Sequence, residues 1–492
     1  MDFIEKELKE IIKRDDTRRF RSVLYGKNGD IKIEGYFLTQ FCAISDSPGC
    51  MAISIEIGSP VNVFDESMSP LNYSSISGSV ETACLLIEAG ADVNHISNGE
   101  TPLMQAVRYS TPEHVQMLIE SGAQSIDVVY AAKYSRSKDV LRHFINNGDK
   151  EKALEAAVQA GKSDNVELLI EVGAQANHSL LVLACSINNP RIVTNIISSG
   201  VKPDDLAVQT CIFWNSIDSM NALFGLGINP TPLHLHYSVF HNKPQCLSNL
   251  IERGVEIHSP INGTFPIHIA ARHGRNECLK LLVERGAKLN CTDSFGCTPL
   301  HWASLRKKTD TLDLLLSYGA IVNIDDPTLF EPSLEPPISG WSAIHVALDG
   351  KCNDSSLKLI EAGAKQAKMW DGRTPLHMAY KNCNDDVVSK LLDNGADQNE
   401  RNRNEQTPLE YAMAIGRINK TKSMDSSSTP KKTLGNNTPK TELAIQFDDT
   451  KNDQLDQDLE DILRDIDIND VNLDELLEGE LDVDLADLEE DL

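Results

Sequence analysis

The chain has 492 residues, a formal net charge of −27, 41% hydrophobic and 24% charged residues, but only 5% aromatic ones, so its core must be built mainly from Leu, Ile, Val and Ala. Its acidity is uneven: from Glu442 to Leu492 there are 21 acidic residues against Lys451 and Arg464, whereas the stretch from Lys420 to Thr441 carries five lysines against Asp425. A body without basic excess lacks the counterion-releasing surface behind nucleic-acid affinity, and no window of about 18 apolar residues offers a membrane span, so neither direct nucleic-acid binding nor membrane insertion is expected.

In chain order, residues 1–36 carry Phe3, Ile4, Leu8, Ile11 and Ile12 at helical spacing, then Asp15-Asp16, then a second helical stretch ending near Gly26. This predicts an N-terminal helical cap, because the terminal module of a repeat stack must present one wet face. Residues 37–123 contain Ser69-Pro70-Leu71 and Thr101-Pro102-Leu103, the first copies of a recurring element. In residues 124–230 the spacing shortens, yet Gly148, Gly173, Gly200 and Gly227 still mark regular helix ends, and runs such as Ile192-Val193-Thr194-Asn195-Ile196-Ile197 keep helical periodicity. Four trimmed repeats are predicted there, with the helix pair kept and the projecting turn lost.

Residues 231–419 hold the clearest copies, beginning at Thr231-Pro232-Leu233-His234, Phe265-Pro266-Ile267-His268, Thr298-Pro299-Leu300-His301, Ser342-Ala343-Ile344-His345, Thr374-Pro375-Leu376-His377 and Thr407-Pro408-Leu409-Glu410. Most starts lie 32 to 34 residues apart, and a Pro-rich insertion near 325–340 stretches one interval to 44. The grammar has a physical reading. Thr or Ser offers an N-cap oxygen, Pro at the first helical position gives up an N–H that would be unbonded anyway, and a Gly ends the second helix in a left-handed conformation. Residues 420–441 have Ser/Thr/Pro/Lys linker chemistry, and residues 442–492 alternate acids with leucines.

These copies resemble the ankyrin repeat, in phase from about Phe37 to Arg417. The resemblance implies an all-α solenoid of about 13 stacked helix-turn-helix repeats with a disordered acidic C-terminal tail. It also implies a structural role for His234, His268, His301, His345 and His377, whose rings in the family bond neighbouring turns.

Nothing in the sequence points to catalysis. There is no Gly-rich phosphate loop, kinase signature, nucleophile elbow or HExxH stretch. The eleven cysteines, from Cys42 to Cys383, form no CxxC pair, and no metal-ligand spacing is met. The expectation is a non-enzymatic chain with no cofactor and no metal. Reduced thiols, and Asp2, Glu5, Glu7 and Glu10 where a signal peptide would be basic, suggest a cytoplasmic or nuclear location.

Binding is the expected function. Rigid aromatics are the usual energetic anchors of a binding surface, and Phe295, Trp302, Trp341 and Trp370 cluster around the insertion, where they would flank a partner groove. In the tail, Leu459, Ile462, Leu463, Ile466, Leu476 and Leu477 recur among acids, the composition of segments that fold as amphipathic helices in a partner's groove. Thr429, before Pro430, is a candidate phosphorylation site. The expected partners are other proteins, with the chain monomeric by itself. The leading expectation is a scaffold or adaptor using its concave ankyrin surface and its acidic tail; the alternative is a nuclear transcriptional or chromatin co-regulator acting through the tail.

Overall fold

The computed structural model describes residues 2–63, 68–294, 296–323, 342–369, 371–382 and 385–415. Over these residues the chain forms 27 helices, which run along the sequence as alternating first and second helices. The helices are short, mostly seven to ten residues, below the length at which an isolated helix is stable in water. Their stability therefore comes from neighbours. The described chain divides into two compact units. One comprises residues up to Ala207 together with Asp218–Leu226, and the other comprises Val208–Ile217 together with the described residues from Gly227 onward.

In the first unit, helices Asp2–Lys13 and Thr17–Leu24 bury Leu8, Ile11, Ile12, Phe20 and Leu24. Two-residue antiparallel strands follow, with Lys32 opposite Phe37 and Ile33 opposite Tyr36, an element that the helical periodicity does not announce. Asp16 caps its own helix by accepting from the Arg19 N–H at 3.1 Å. Asp15 instead accepts from the Gly49 and Cys50 N–H groups at 3.1 and 2.7 Å, so it caps the helix Pro48–Glu56 of the next module.

The stretch with shortened spacing keeps its helices two by two. Val128–Tyr134 is followed by Lys138–Arg142, Lys150–Gln159 by Ser163–Glu171, His178–Ser186 by Pro190–Ser198, and Asp205–Trp214 by Ile217–Gly225. Its first helices are lined with small residues, Ala131, Ala132, Ala153, Ala156 and Ala157, all buried, which lets backbones approach closely. Isolated strand-like turn pairings occur elsewhere, at Ser97 with Glu100 and at Ile261 with Thr264.

In the second unit, helices Pro232–Phe240, Pro266–His273, Pro299–Leu305, Ala343–Asp349 and Pro375–Asn382 each precede a second helix that contributes buried leucines, such as Leu247 and Leu250, Leu279 and Leu282, or Leu312 and Leu315. Turn asparagines tie consecutive repeats. Asn62 donates to the Gly90 carbonyl at 2.9 Å and accepts from the Asp92 N–H at 2.8 Å. Asn94 does the same to Gly122 and Gln124 at 3.2 and 2.7 Å, and Asn323 to Gly363 and Lys365 at 2.9 and 2.8 Å. Each amide thus satisfies a carbonyl and an N–H that the end of a second helix leaves over.

Candidate functional site

The polar residue at the fourth motif position sets the register of each repeat, and the structure shows why histidine suits it. The Nδ1 of His301 accepts from the Thr298 N–H at 3.3 Å, and the same bond joins His268 to Phe265, His345 to Ser342 and His377 to Thr374 at 3.1 to 3.2 Å. With Nδ1 an acceptor, the proton sits on Nε2, which donates to a carbonyl of the following turn: Cys291 for His268 and Gln406 for His377, both at 3.0 Å. Gln40 does the same with an amide, its oxygen accepting from the Phe37 N–H at 2.9 Å and its nitrogen donating to the Met68 carbonyl at 2.8 Å.

One repeat departs from the sequence pattern. His234 accepts from the Thr231 N–H, but the ring that reaches the next turn is His236, whose Nε2 lies 3.0 Å from the Thr264 carbonyl. Counting confirms the shift. Gly286, Gly319, Gly363 and Gly395 each stand eighteen residues after the motif histidine, and Gly254 stands eighteen residues after His236. A left-handed link between the two helices falls six residues after it in every described case, at Asn242, Gly274, Lys307 and Lys351.

Once the register is fixed, it sorts side chains by position. One residue after the motif position, Tyr237, Ile269, Trp302, Val346 and Met378 are all buried. The expectation that Trp302 projects toward a partner is therefore corrected: the ring is 5% exposed, its indole N–H donates to Asp293 Oδ2 at 2.6 Å, and the Arg272 guanidinium lies 4.5 Å from its centre. Trp302 is a packing residue holding a turn carboxylate. Phe295, Trp341, Trp370, Thr429, the insertion near 325–340 and the tail residues Leu459, Ile462, Leu463, Ile466, Leu476 and Leu477 lie outside the described residues.

Four and five residues after the motif position, at the ends of several first helices, side chains reach the surface. In the second unit these places hold Phe213 and Trp214, 37% and 44% exposed, then the half-buried Phe240 and His241, then the buried Arg272 and the half-buried His273. Their rings form a continuous line. Trp214 to Phe213 is 5.6 Å, Phe213 to His241 5.2 Å, His241 to Phe240 5.0 Å and Phe240 to His273 4.9 Å, all edge-on.

Cations flank this line two residues further on. Lys243 lies 5.9 Å from the Phe213 ring centre, and Arg275 donates to the Phe240 carbonyl at 3.0 Å. Burial, then Lys243 and Arg275, push the His241 pKa down to about 4. Burial, then Arg272, Arg275, Arg306 and Lys308, push that of His273 down to about 3. Both rings are therefore neutral near pH 7, and the positive charge belongs to the lysines and arginines.

The first unit has a counterpart. Tyr109, 38% exposed, lies between the guanidinium groups of Arg108 and Arg136, 5.8 and 5.6 Å from its centre, and Arg108 also stacks on Tyr134 at 4.5 Å. Glu100 holds Arg108 by an ion pair of 2.8 Å and accepts from the Tyr130 hydroxyl at 3.2 Å.

The sequence reading missed these aromatics, although counting four and five residues on from the motif position would have found them. Among the described residues no group of three His, Cys, Asp or Glu side chains could hold a metal ion, and no helix is long and apolar enough to cross a membrane. The ten described cysteines carry no disulfide, and burial pushes the thiols of Cys246 and Cys291 up to about 11, away from thiolate chemistry.

A family model described as ankyrin repeats (3 copies) matches residues 39–129, 235–326 and 344–423, together more than half of the chain. No curated protein matches it. The third matched stretch ends in residues 416–423, beyond the described helices, while the terminal glycine recurs in phase in all three, at Gly58, Gly90 and Gly122, at Gly254, Gly286 and Gly319, and at Gly363 and Gly395. By sequence and by architecture, the chain belongs to the ankyrin-repeat family.

Proposed function

We propose that this protein is a non-enzymatic scaffold or adaptor that holds one protein on the surface formed by the ends of its first helices and docks another through its acidic tail. Ankyrin repeats generally mediate protein–protein interaction. The observation that carries the reading is the recurrence of aromatic side chains that reach the surface at one register position: Tyr109 beside Arg108 in the first unit, and Phe213 and Trp214 with the half-buried Phe240, His241 and His273 in the second. A large rigid ring costs little conformational entropy to immobilise, and a flanking cation adds charge recognition.

Affinity capture tests it. Trp214→Ala with Phe240→Ala, and Tyr109→Ala with Arg108→Ala, are each expected to lose a bound protein at least tenfold with the urea midpoint nearly unchanged. Removing residues 442–492 is expected to lose a different protein. Capture that is indifferent to both double variants sinks the surface assignment. The second reading, a transcriptional or chromatin co-regulator, is favoured by the acid–leucine alternation of the tail. A reporter that stays silent when residues 442–492 are tethered beside it rejects that reading.

A further inference from the structure

The ring line from Trp214 to His273 is bordered by a column of cations at one register position. Lys243, Arg275 and Lys308 each stand seven residues after their motif histidine, His236, His268 and His301. They stand in the links after the helices Pro232–Phe240, Pro266–His273 and Pro299–Leu305, each at the N-cap position of the second helix that follows. The column is contiguous: the Arg275 Nε reaches the Phe240 carbonyl at 3.0 Å, and the Lys308 methylenes lie where a Cβ on Gly274 would be only 3.1 Å away. The charged groups that shift His241 and His273 are all lysine or arginine. One repeat further on the same register place holds no cation but Cys352. This surface is thus a bounded strip about three repeats long, apolar along its middle and positive along its edge, on a chain whose net charge is −27.

We propose that this strip is the docking site of the chain's own C-terminal segment, residues 442–492, which lies along it as an amphipathic helix with leucines on the rings and carboxylates on the cations. The complementarity is specific. The segment sets 21 acids against two cations, and Leu455, Leu459, Ile462, Leu463 and Ile466 recur at the spacing of one helix face.

Reach permits it. Twenty-six residues separate Ile415, the last described, from Glu442; extended, the connection spans roughly 90 Å. The strip lies about four repeats before the helix Pro408–Ala414, or roughly 40 Å at the usual 8–10 Å between packed helices. A tether of this length gives an effective concentration near the millimolar range, so a weak contact suffices. Any external ligand of the strip must then displace the tail, which makes the tail a competitive cover. The inference rests on the strip being a ligand surface.

Hydrogen exchange on the full chain tests it, with a synthetic peptide of residues 442–492 as the free reference. In the wild-type chain, peptides spanning 455–466 are expected to exchange at least tenfold more slowly than in that reference. In the triple variant Lys243→Glu, Arg275→Glu, Lys308→Glu they are expected to return to within threefold of it, while helices Pro244–Glu252 and Asn276–Glu284 stay protected. Should that variant not fold, raising salt from 50 to 500 mM on the wild-type chain must release the tail in the same way.

Carbodiimide cross-linking of mixed isotope-labelled and unlabelled chains identifies the occupant. Links from Lys243 or Lys308 to tail carboxylates within one chain support the proposal, and links only between labelled and unlabelled chains overturn it in favour of a second copy. Tail exchange equal to the free peptide, or protection unchanged in the variant and in high salt, also overturns it. So does a single-stranded oligonucleotide that binds the wild-type chain and not the variant while the tail stays unprotected. A chain that captures its partner on the strip yet shows a free tail retires this inference alone and leaves the proposed function standing.

Discussion

The Nε2 of His236 lies 3.0 Å from the carbonyl oxygen of Thr264, and this one bond spans from a first helix to the turn opening the next repeat. The other ring nitrogen faces the Pro232 carbonyl at 2.8 Å, and the residue is only 3% exposed. His236→Ala removes the donor that reaches the Thr264 carbonyl and opens a cavity, and is expected to cost about 2–3 kcal/mol. His236→Gln is expected to recover about half of that, because the amide of Gln40 makes the same step to Met68 in the first unit. Urea unfolding of the two variants checks the difference; equal losses for Ala and Gln contradict the bridging role.

Acid should loosen the repeats. Burial pushes the pKa values of His114 and His345 from the ordinary 6.5 down to about 4. A folded-state pKa below the unfolded one means that the unfolded chain binds protons first as pH falls. The stability from these rings is complete above about pH 6.5 and is lost between about 6.5 and 4, at up to about 1.4 kcal/mol per pH unit for each ring. Unfolding midpoints measured from pH 7.5 to 4.5 should fall along that course, and His345→Gln should flatten it.

Lys307 and Lys351 occupy the left-handed link, with φ of 57° and 55°, where the neighbouring repeat has Gly274. A side chain with a Cβ is strained there by roughly 1 kcal/mol. Lys307→Gly is expected to raise stability by up to about 1 kcal/mol, net of the extra freedom that glycine gives the unfolded chain. A thermal midpoint that falls instead shows that the Lys307 side chain makes a compensating contact.

Trp302→Phe removes the indole N–H from the Asp293 carboxylate and keeps the ring volume. A lost charge-assisted bond of this kind costs about 1.5–3 kcal/mol, so a drop of that size is expected. The two tryptophans also differ optically in a testable way. Trp214 is 44% exposed and Trp302 5%, so acrylamide should quench the emission lost in Trp214→Phe and spare that lost in Trp302→Phe.

Asn94→Ala unties the Gly122 carbonyl and the Gln124 N–H from the preceding repeat. The expected cost is about 1–2 kcal/mol, with faster amide exchange at Ala123 and Gln124 and little change at the distant Gly286 turn. Uniform acceleration across the chain contradicts a local tie.

The sequence by itself determined which stretches are helical, because the determinants are local. A Thr or Ser before Pro starts a first helix, apolar residues recur at helical spacing, and a glycine such as Gly286 or Gly319 ends the second helix where φ is positive. The same signals carried through residues 124–230, where Gly148, Gly173, Gly200 and Gly227 kept their place after the projecting turns had shortened.

Only the tertiary structure decided which polar residue bridges the repeats and which aromatics face outward. Thr231-Pro232-Leu233-His234 reads as the motif, yet the adjacent repeat meets His236, since the carbonyl of Thr264 belongs to a turn 28 residues away. Trp302 reads as a presented aromatic and is buried, because the place after the motif histidine faces the neighbouring repeats. Asp15, which the sequence leaves between two helical stretches, caps a helix of the next module. In each case the deciding partner lies in a neighbouring repeat, and local propensity carries no information about it.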